Sequence, residues 1–336
     1  MRYGTLAIFF LLGSLGAQAQ QSFDLVVYGG TAGGVMTAVA GARQGLKTVL
    51  LEPRGHVGGM ATGGLSRTDV GKREVIGGLA LEFYFRVGER YEMRRYLNPV
   101  AWFYEPRVGE SVMKEMLREA GVTVLFQQRL RERDGVRKQG TSLQEIVMEN
   151  GPVYRAKIFA DCTYEGDLMA QAKVSYTWGR EAASQYGESL GGVRDRTPKH
   201  QFLVDVPARG PDGKLLPEIS GEARGASGAA DKRVQAYNFR VIATNNPANR
   251  IPWPKPKNYD PKRYEILALL VQAMERKLGR PQVFHELTLI ALIPNQKADF
   301  NNQGPFSTDY IGKNYDYPDG SHRRREEIWR EHVDYV

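Results

Sequence analysis

Gly29, Gly30, Thr31, Ala32, Gly33 and Gly34 stand in a row within the stretch YGGTAGGV, and Glu52 with Pro53 follows about twenty residues on. Glycines at the start of a helix let backbone N–H groups approach an anion such as a pyrophosphate, because no side chain shields them. A carboxylate at that later position accepts hydrogen bonds from a ribose 2′-hydroxyl and repels a 2′-phosphate. The row departs from G-x-G-x-x-G at its middle glycine, where Thr31 stands. Its hydroxyl can cap the helix or donate to a phosphate oxygen, with Gly33 relieving the crowding beside it.

Such a turn has meaning only between a strand and a helix. Residues 23–28 (FDLVVY) form a short apolar, β-branched run that predicts a buried parallel strand. Residues 35–43, rich in alanine, predict a helix packed closely on a sheet, stopped by Gly45. Residues 46–51 (LKTVLL) predict a second strand ending at Glu52. The spacing therefore predicts a strand–helix–strand unit that binds an adenine dinucleotide lacking a 2′-phosphate, with a glycine-rich structural turn as the other reading.

A second glycine run, GHVGGMATGG at residues 55–64, separates NAD from FAD. An NAD site has no use for it. A flavin does, because its ribityl chain and ring lie along backbone that must come close. A flexible loop is the other reading. His56, one of five histidines, stands within this run. It is a candidate acid or base, and a loop-stabilising hydrogen bond is its alternative. Arg67 and Asp69 in the following SRTDV are weaker candidates.

The blocks YGGTAGGV, LLEPRGHVGGMATGGLSRTDVG, FADCTYEGDLMAQAKVSYTWGREAASQYGES, QAYNFRVIATNNPANRIPWPKP and FSTDYIGKNYDYPDG resemble a family of bacterial FAD-dependent oxidoreductases. Members are often exported and sometimes labelled xanthan-lyase-like. They are distant kin of the flavin subunits of fumarate reductase and heterodisulfide reductase. The resemblance implies FAD held by Gly29, Thr31, Gly33 and Gly34 at the pyrophosphate and by Glu52 at the ribose. It places Gly58, Gly59, Met60, Gly63 and Gly64 beside the flavin, and it offers His56 as a site of covalent flavin attachment. Residues 157–163 (KIFADCT) are similar to the strand before an Ala-Thr-Gly flavoprotein motif. Cys162 replaces the alanine there, Thr163 is kept, and Tyr164 replaces the glycine. Asp167 in the next turn is either a polar partner of the cofactor or a helix-capping residue.

Further along, residues 110–120 predict a helix and 122–126 a third parallel strand. Residues 144–149 and 153–160 predict a hairpin turning at Asn150-Gly151. From about Ser175 the composition shifts to Pro, Gly, Asn and aromatic residues, with a surface excursion over 205–233 and an amphipathic helix over 263–277. Asn301, Asn302 and the tyrosines between 310 and 317 can face a sugar-like ligand, or can form a well-ordered loop with buried tyrosines. Residues 328–336 keep a helical pattern to the last position. In related flavoproteins a late segment returns to the first domain, and no final strand, turn and helix of that kind is legible here.

The expected fold is α/β: a Rossmann-like FAD-binding domain (20–174) with an inserted β-meander, plus a second α+β substrate domain (175–336), its C-terminal part missing. Residues 1–19 read as a Sec-type signal peptide, from Arg2 through the apolar residues 6–12 to Ala17-Gln18-Ala19. The expected product is an exported, periplasmic or extracellular protein with no membrane span in the mature chain. In 336 residues the net charge is +8, and the only tight basic cluster, residues 322–325, reads as solvated surface with no nucleic-acid stripe. The single cysteine excludes an internal disulfide and a cysteine-ligated zinc or iron–sulfur site within the chain. The expected activity is hydride transfer between FAD and a small or saccharide-like substrate. A flavin-binding remnant without activity, or a secreted polysaccharide-associated protein, are the alternatives.

Overall fold

The computed structural model describes residues 21–96, 98–197 and 200–336, so the leader read at residues 1–19 lies outside the described residues. The first apolar run forms β1 (Gln21–Tyr28), which leads through the glycine turn into α1 (Ala32–Arg43) and back to β2 (Thr48–Glu52). Two helices follow, α2 (Gly78–Arg90) and α3 (Pro106–Glu119), then β3 (Thr123–Phe126), β4 (Val136–Gln139), β5 (Ser142–Val147) and β6 (Val153–Asp161). They make one six-stranded sheet in the order β3-β2-β1-β6-β5-β4. β1 runs parallel to β2 and β6, β2 runs parallel to β3, and β4 and β5 add antiparallel at one side. This is the expected dinucleotide-binding sheet with its meander.

Alternation along the strands divides the core. Leu25, Val27 and Leu50 face α1, α2 and α3, where they meet Val35, Val39, Phe83, Val112, Met113 and Met116. Val26, Tyr28, Val49 and Leu51 face the other way, against Leu130, Ile146, Met148 and Leu168. Both faces of β1 are covered, which is why its sequence is apolar at consecutive positions.

Short helices α4 (Asp167–Gln171) and α5 (Ala183–Tyr186) lead into a long irregular segment that includes the expected excursion. A second, antiparallel sheet follows, ordered β7-β9-β8 from β7 (Val241–Thr244), β8 (Thr288–Ile293) and β9 (Lys297–Asn302), with α6 (Glu265–Leu278) between its first two strands. Residues 263 and 264, expected at the start of that helix, belong instead to a 3-10 turn over Pro261–Tyr264 capped by Asp260. The chain closes on α7 (His322–Tyr335), begun by Ser321, whose hydroxyl accepts the Arg324 N–H.

The two halves are joined at specific residues. Buried Glu105, at the start of α3, receives Lys297 and Asn295 from the β8–β9 turn. Arg240, just before β7, pairs with fully buried Asp299 at 2.7 Å and lies over Gly64. The late segment returns to the first half, through Tyr317, His322 and Arg325. It arrives as a loop and a helix, with neither the strand nor the turn that was sought.

Candidate cofactor site

The first glycine turn is built for close approach. Gly29 has φ +102°, and a Cβ there would lie 2.7 Å from the Thr163 nitrogen. A Cβ on Gly34 would collide with the Gly29 carbonyl oxygen, so α1 can seat on β1 only because Gly34 has no side chain. Thr31 is the helix N-cap: its Oγ1 accepts the Gly34 N–H at 3.1 Å and donates to the Cys162 carbonyl at 2.7 Å. The hydroxyl thus takes the capping role and also ties the turn to the end of β6. Ala32 and Gly33 open the helix, and their N–H groups have no intrahelical acceptor by construction. Gly33 is exposed, with nothing nearer to its Cβ position than Thr31 Oγ1 at 3.7 Å.

Glu52 reaches back under this turn. One carboxylate oxygen accepts the Gly30 N–H at 2.7 Å and the other the Arg54 N–H at 2.7 Å. Burial pushes its pKa up, and those two amides pull against the rise. A half-buried carboxylate with lone pairs to spare, beside a helix N-terminus, suits a ribose diol next to a diphosphate.

The second glycine run folds back onto the first. Gly58, at φ +101°, donates its N–H to the Gly30 carbonyl at 2.6 Å. Gly59, at φ +53°, would place a Cβ 3.2 Å from Thr31 Cα, and it opens a 3-10 turn over Gly59–Ala61. Met60 N–H donates at 2.8 Å to the Tyr164 hydroxyl, which crosses from the end of β6. Gly63 is exposed, and Gly64 abuts Arg240 of the second half. His56 lies against Gly63, where a Cβ would stand 3.7 Å from its Nε2. Its Nε2 lies 2.8 Å from Thr62 Oγ1 and its Nδ1 3.2 Å from Glu110 of α3. Thr62 Oγ1 also donates to the Val57 carbonyl at 2.6 Å. Arg67 lies over the Phe103 ring, and Asp69 is exposed.

After β6, Asp161 organises the turn. One oxygen accepts Thr163 N–H and Oγ1 at 3.0 and 2.7 Å, and the other accepts Met169 N–H at 2.9 Å. Asp167 opens α4 behind Gly166 and makes no cap there. It pairs with Arg325 of α7 at 2.7 and 2.9 Å, and His322 Nε2 lies 3.7 Å away. Burial raises the Asp167 carboxyl, but the nearby His322 imidazole and the hydrogen bonds from Arg325 hold it below the usual carboxylate range.

These strand ends border a cavity of about 340 Å³ lined by Tyr28, Pro53, Gln127, Asn150, Thr163 and Arg325, among others. It lies at the carboxyl edge of the parallel strands, where open α/β sheets bind ligands. Of the expected residues Pro53, Thr163 and Asp167 line it, while the Gly29–Gly34 turn, Glu52, Gly58, Gly59, Met60 and Cys162 are tied together beside it by the Glu52–Gly30, Gly58–Gly30, Thr31–Cys162 and Met60–Tyr164 hydrogen bonds. Gly63 and Gly64 extend from it toward the second sheet, Asp167 lies beneath α7, and His56 sits behind the run. Tyr164, Gln127, Asn150, His322 and Arg325 were not among the expected site residues, and Tyr317 was expected only as a residue facing a sugar-like ligand. The hairpin signal at Asn150-Gly151 pointed to one of them. For the α7 residues the only signal was the basic cluster, and it reads differently now: Arg323 is exposed, but His322 and Arg325 side chains are only 12% and 11% exposed and ion-paired. Among the tyrosines offered for a ligand, Tyr310 is buried and stacked on Tyr335 at 4.1 Å, while Tyr317 lines the cavity.

The family model for FAD dependent oxidoreductases matches residues 24–336, and the chain belongs to that family. Its cofactor is FAD. None of the curated proteins matches the chain. Solved structures similar to it include L-proline dehydrogenase from P. horikoshii, 14% identical over 49% of this chain and 59% of that one, TM-score 0.36. Another is L-amino acid deaminase from Proteus vulgaris, 14% identical over 52% of this chain and 54% of that one, TM-score 0.35. The chain thus spans little more than half the length of these two proteins.

Proposed function

We propose that the protein is an oxidoreductase that moves a hydride between FAD and a small or saccharide-like substrate. The observation that carries this reading is the convergence of the α1 N-terminus, the Glu52 carboxylate and the 340 Å³ cavity at one edge of the parallel sheet. FAD, when bound, supplies the redox chemistry. The chain's own groups hold it. Ala32 and Gly33 N–H groups take the diphosphate with the help of the helix dipole. Glu52 accepts the ribose hydroxyls, and the cavity receives the adenosine end. Gly58, Gly59, Met60, Gly63 and Gly64 lead from there toward Arg240, so the reacting end falls between the first half and the β7–β9 sheet. This supports dividing the chain into a cofactor domain over 20–174 and a substrate domain over 175–336, with α7 crossing back. His56, held by Thr62 and Glu110, stabilises the glycine run.

We also read residues 1–19 as a leader for Sec-type export, on the pattern of Arg2, the apolar residues 6–12 and Ala17-Gln18-Ala19. Among the described residues no helix is long and apolar enough to cross a membrane.

The test is an absorbance spectrum of the purified protein, then anaerobic addition of sugars, hydroxy acids and amino acids. Flavin bands that bleach with a sugar or small hydroxylated compound support the reading. A colourless protein that takes up no added FAD defeats it. A yellow protein bleached by dithionite but by no organic donor, and reoxidised by no organic acceptor, favours a flavin-binding protein without this activity.

A further inference from the structure

One wall of the cavity comes from the far end of the chain. The floor is made by the end of β2, the residues after β3, the β5–β6 turn and the β6–α4 turn. The cover is Tyr317, His322, Arg325 and Glu326. Each part of the floor has its own tie to the cover. Tyr317 donates its hydroxyl to Glu165 at 3.1 Å. His322 offers Nδ1 to Glu149 at 2.7 Å and its main-chain N–H to Glu132 at 2.8 Å. Arg54, just past β2, lies 3.7 Å from Glu326 and over the Trp329 ring. Arg325 is the most fully engaged: besides Asp167 it bonds the Tyr317 and Pro318 carbonyls at 2.9 and 2.8 Å, which fixes the loop entering α7.

We infer that residues 317–326 belong to the cofactor site, with Tyr317, His322 and Arg325 as positioning residues that close over the adenosine end of FAD. This rests on the cofactor reading above. The physical case lies in the helix itself. Basic residues in a first helical turn oppose the macrodipole, so His322 and Arg325 are costly there unless anions face them. Asp167, Glu149 and Glu132, all from the first half, are those anions. The cover is therefore held by the same turns that border the cavity, and whatever fills the cavity must order floor and cover together. The ligand chemistry is that of an adenosine diphosphate group: ADP and FAD possess it, and FMN does not.

Hydrogen exchange of the apoprotein, alone and with saturating ADP, FAD or FMN, tests this. ADP and FAD should each slow exchange in residues 317–326 and in 29–34, and FMN should leave 317–326 unchanged. FAD or ADP protection at 29–34 without any at 317–326 would overturn the inference and leave the cofactor reading standing. No protection at either place by FAD would remove both. The variant Arg325→Ala gives a second readout. It should release FAD about tenfold faster, the size expected when one charged hydrogen bond is lost, while its unfolding midpoint shows that the sheet is still folded. A folded variant that releases FAD at the wild-type rate would also overturn the inference.

Discussion

The hydroxyl of Thr31 joins the helix it begins to the strand end 131 positions later, accepting Gly34 N–H and donating to the Cys162 carbonyl at 2.7 Å. A glycine at that position, as the common fingerprint has it, makes neither bond. Thr31→Ala should lower stability by about 1 kcal/mol through the lost cap, and Thr31→Ser should stay close to wild type. Urea unfolding of the two variants decides it; equal midpoints for Ala and Ser would mean the hydroxyl contributes nothing.

The two last glycines of the turn serve different ends. Gly34→Ala forces its methyl into the Gly29 carbonyl, and overpacking of this kind costs about 1–3 kcal/mol. Gly33→Ala meets only Thr31 Oγ1, in ordinary contact at 3.7 Å, and should raise stability by up to about 1 kcal/mol through helix entropy. Its methyl nonetheless stands where an anion reaches the first-turn amides, so FAD affinity should fall. Unfolding midpoints paired with FAD titrations separate the effects, and a Gly33→Ala protein with undiminished affinity would move the diphosphate elsewhere.

His322 makes stability depend on pH. The Asp167 carboxylate 3.7 Å away raises its pKa, burial opposes that rise, and the hydrogen bond to Glu149 adds to it, while Arg129 pulls it down and Arg325 stands nearby. The folded chain therefore binds this proton more tightly than the unfolded chain. Its contribution is complete below the ordinary histidine value of about 6.5 and is lost as pH rises through the higher folded value. Asp167 and Glu149 are both held low, so their contribution fades only in acid. Wild type should lose more stability between about pH 6 and pH 9 than His322→Asn does. Parallel stability profiles for the two proteins would show that the imidazole carries no such linkage.

The placement of His56, bonded to Thr62 and Glu110, predicts FAD that is not covalently attached. Acid precipitation should leave a colourless pellet and FAD in the supernatant. His56→Ala should do the same, with stability lower by about 1 kcal/mol for the broken contacts. A yellow wild-type pellet that turns colourless in the variant would reverse this assignment.

Legibility in the sequence followed how local the signal was. β1, α1, β2 and the Asn150-Gly151 hairpin were readable because each rests on a short pattern, and Gly151 takes the positive φ of 105° that such a turn needs. The β8–β9 hairpin was missed although its strand TLIALI is apolar. Its turn puts Asn295 and Gln296 at φ 62° and 57°, and glutamine is a rare choice for a place usually held by glycine. In the site, the glycines and Glu52 were legible because backbone approach restricts residue choice so strongly. The cover was not, because Asp167–Arg325 and Glu149–His322 join residues that nothing in the local pattern connects. A basic cluster at a helix start looks like solvated surface until its carboxylates are known.

The placing of β1 between β2 and β6 has a consequence for how the chain assembles. Leu25 pairs with Thr48 on one side and with Ile158 on the other. The first pairing closes a short loop and forms early, whereas the second must wait for the meander and pays the entropy of a much larger loop. Cys162 arrives with β6, so the Thr31 anchor and the Tyr164 crossing to Met60 complete late, and FAD added during refolding should speed the end of the process and leave its beginning unchanged.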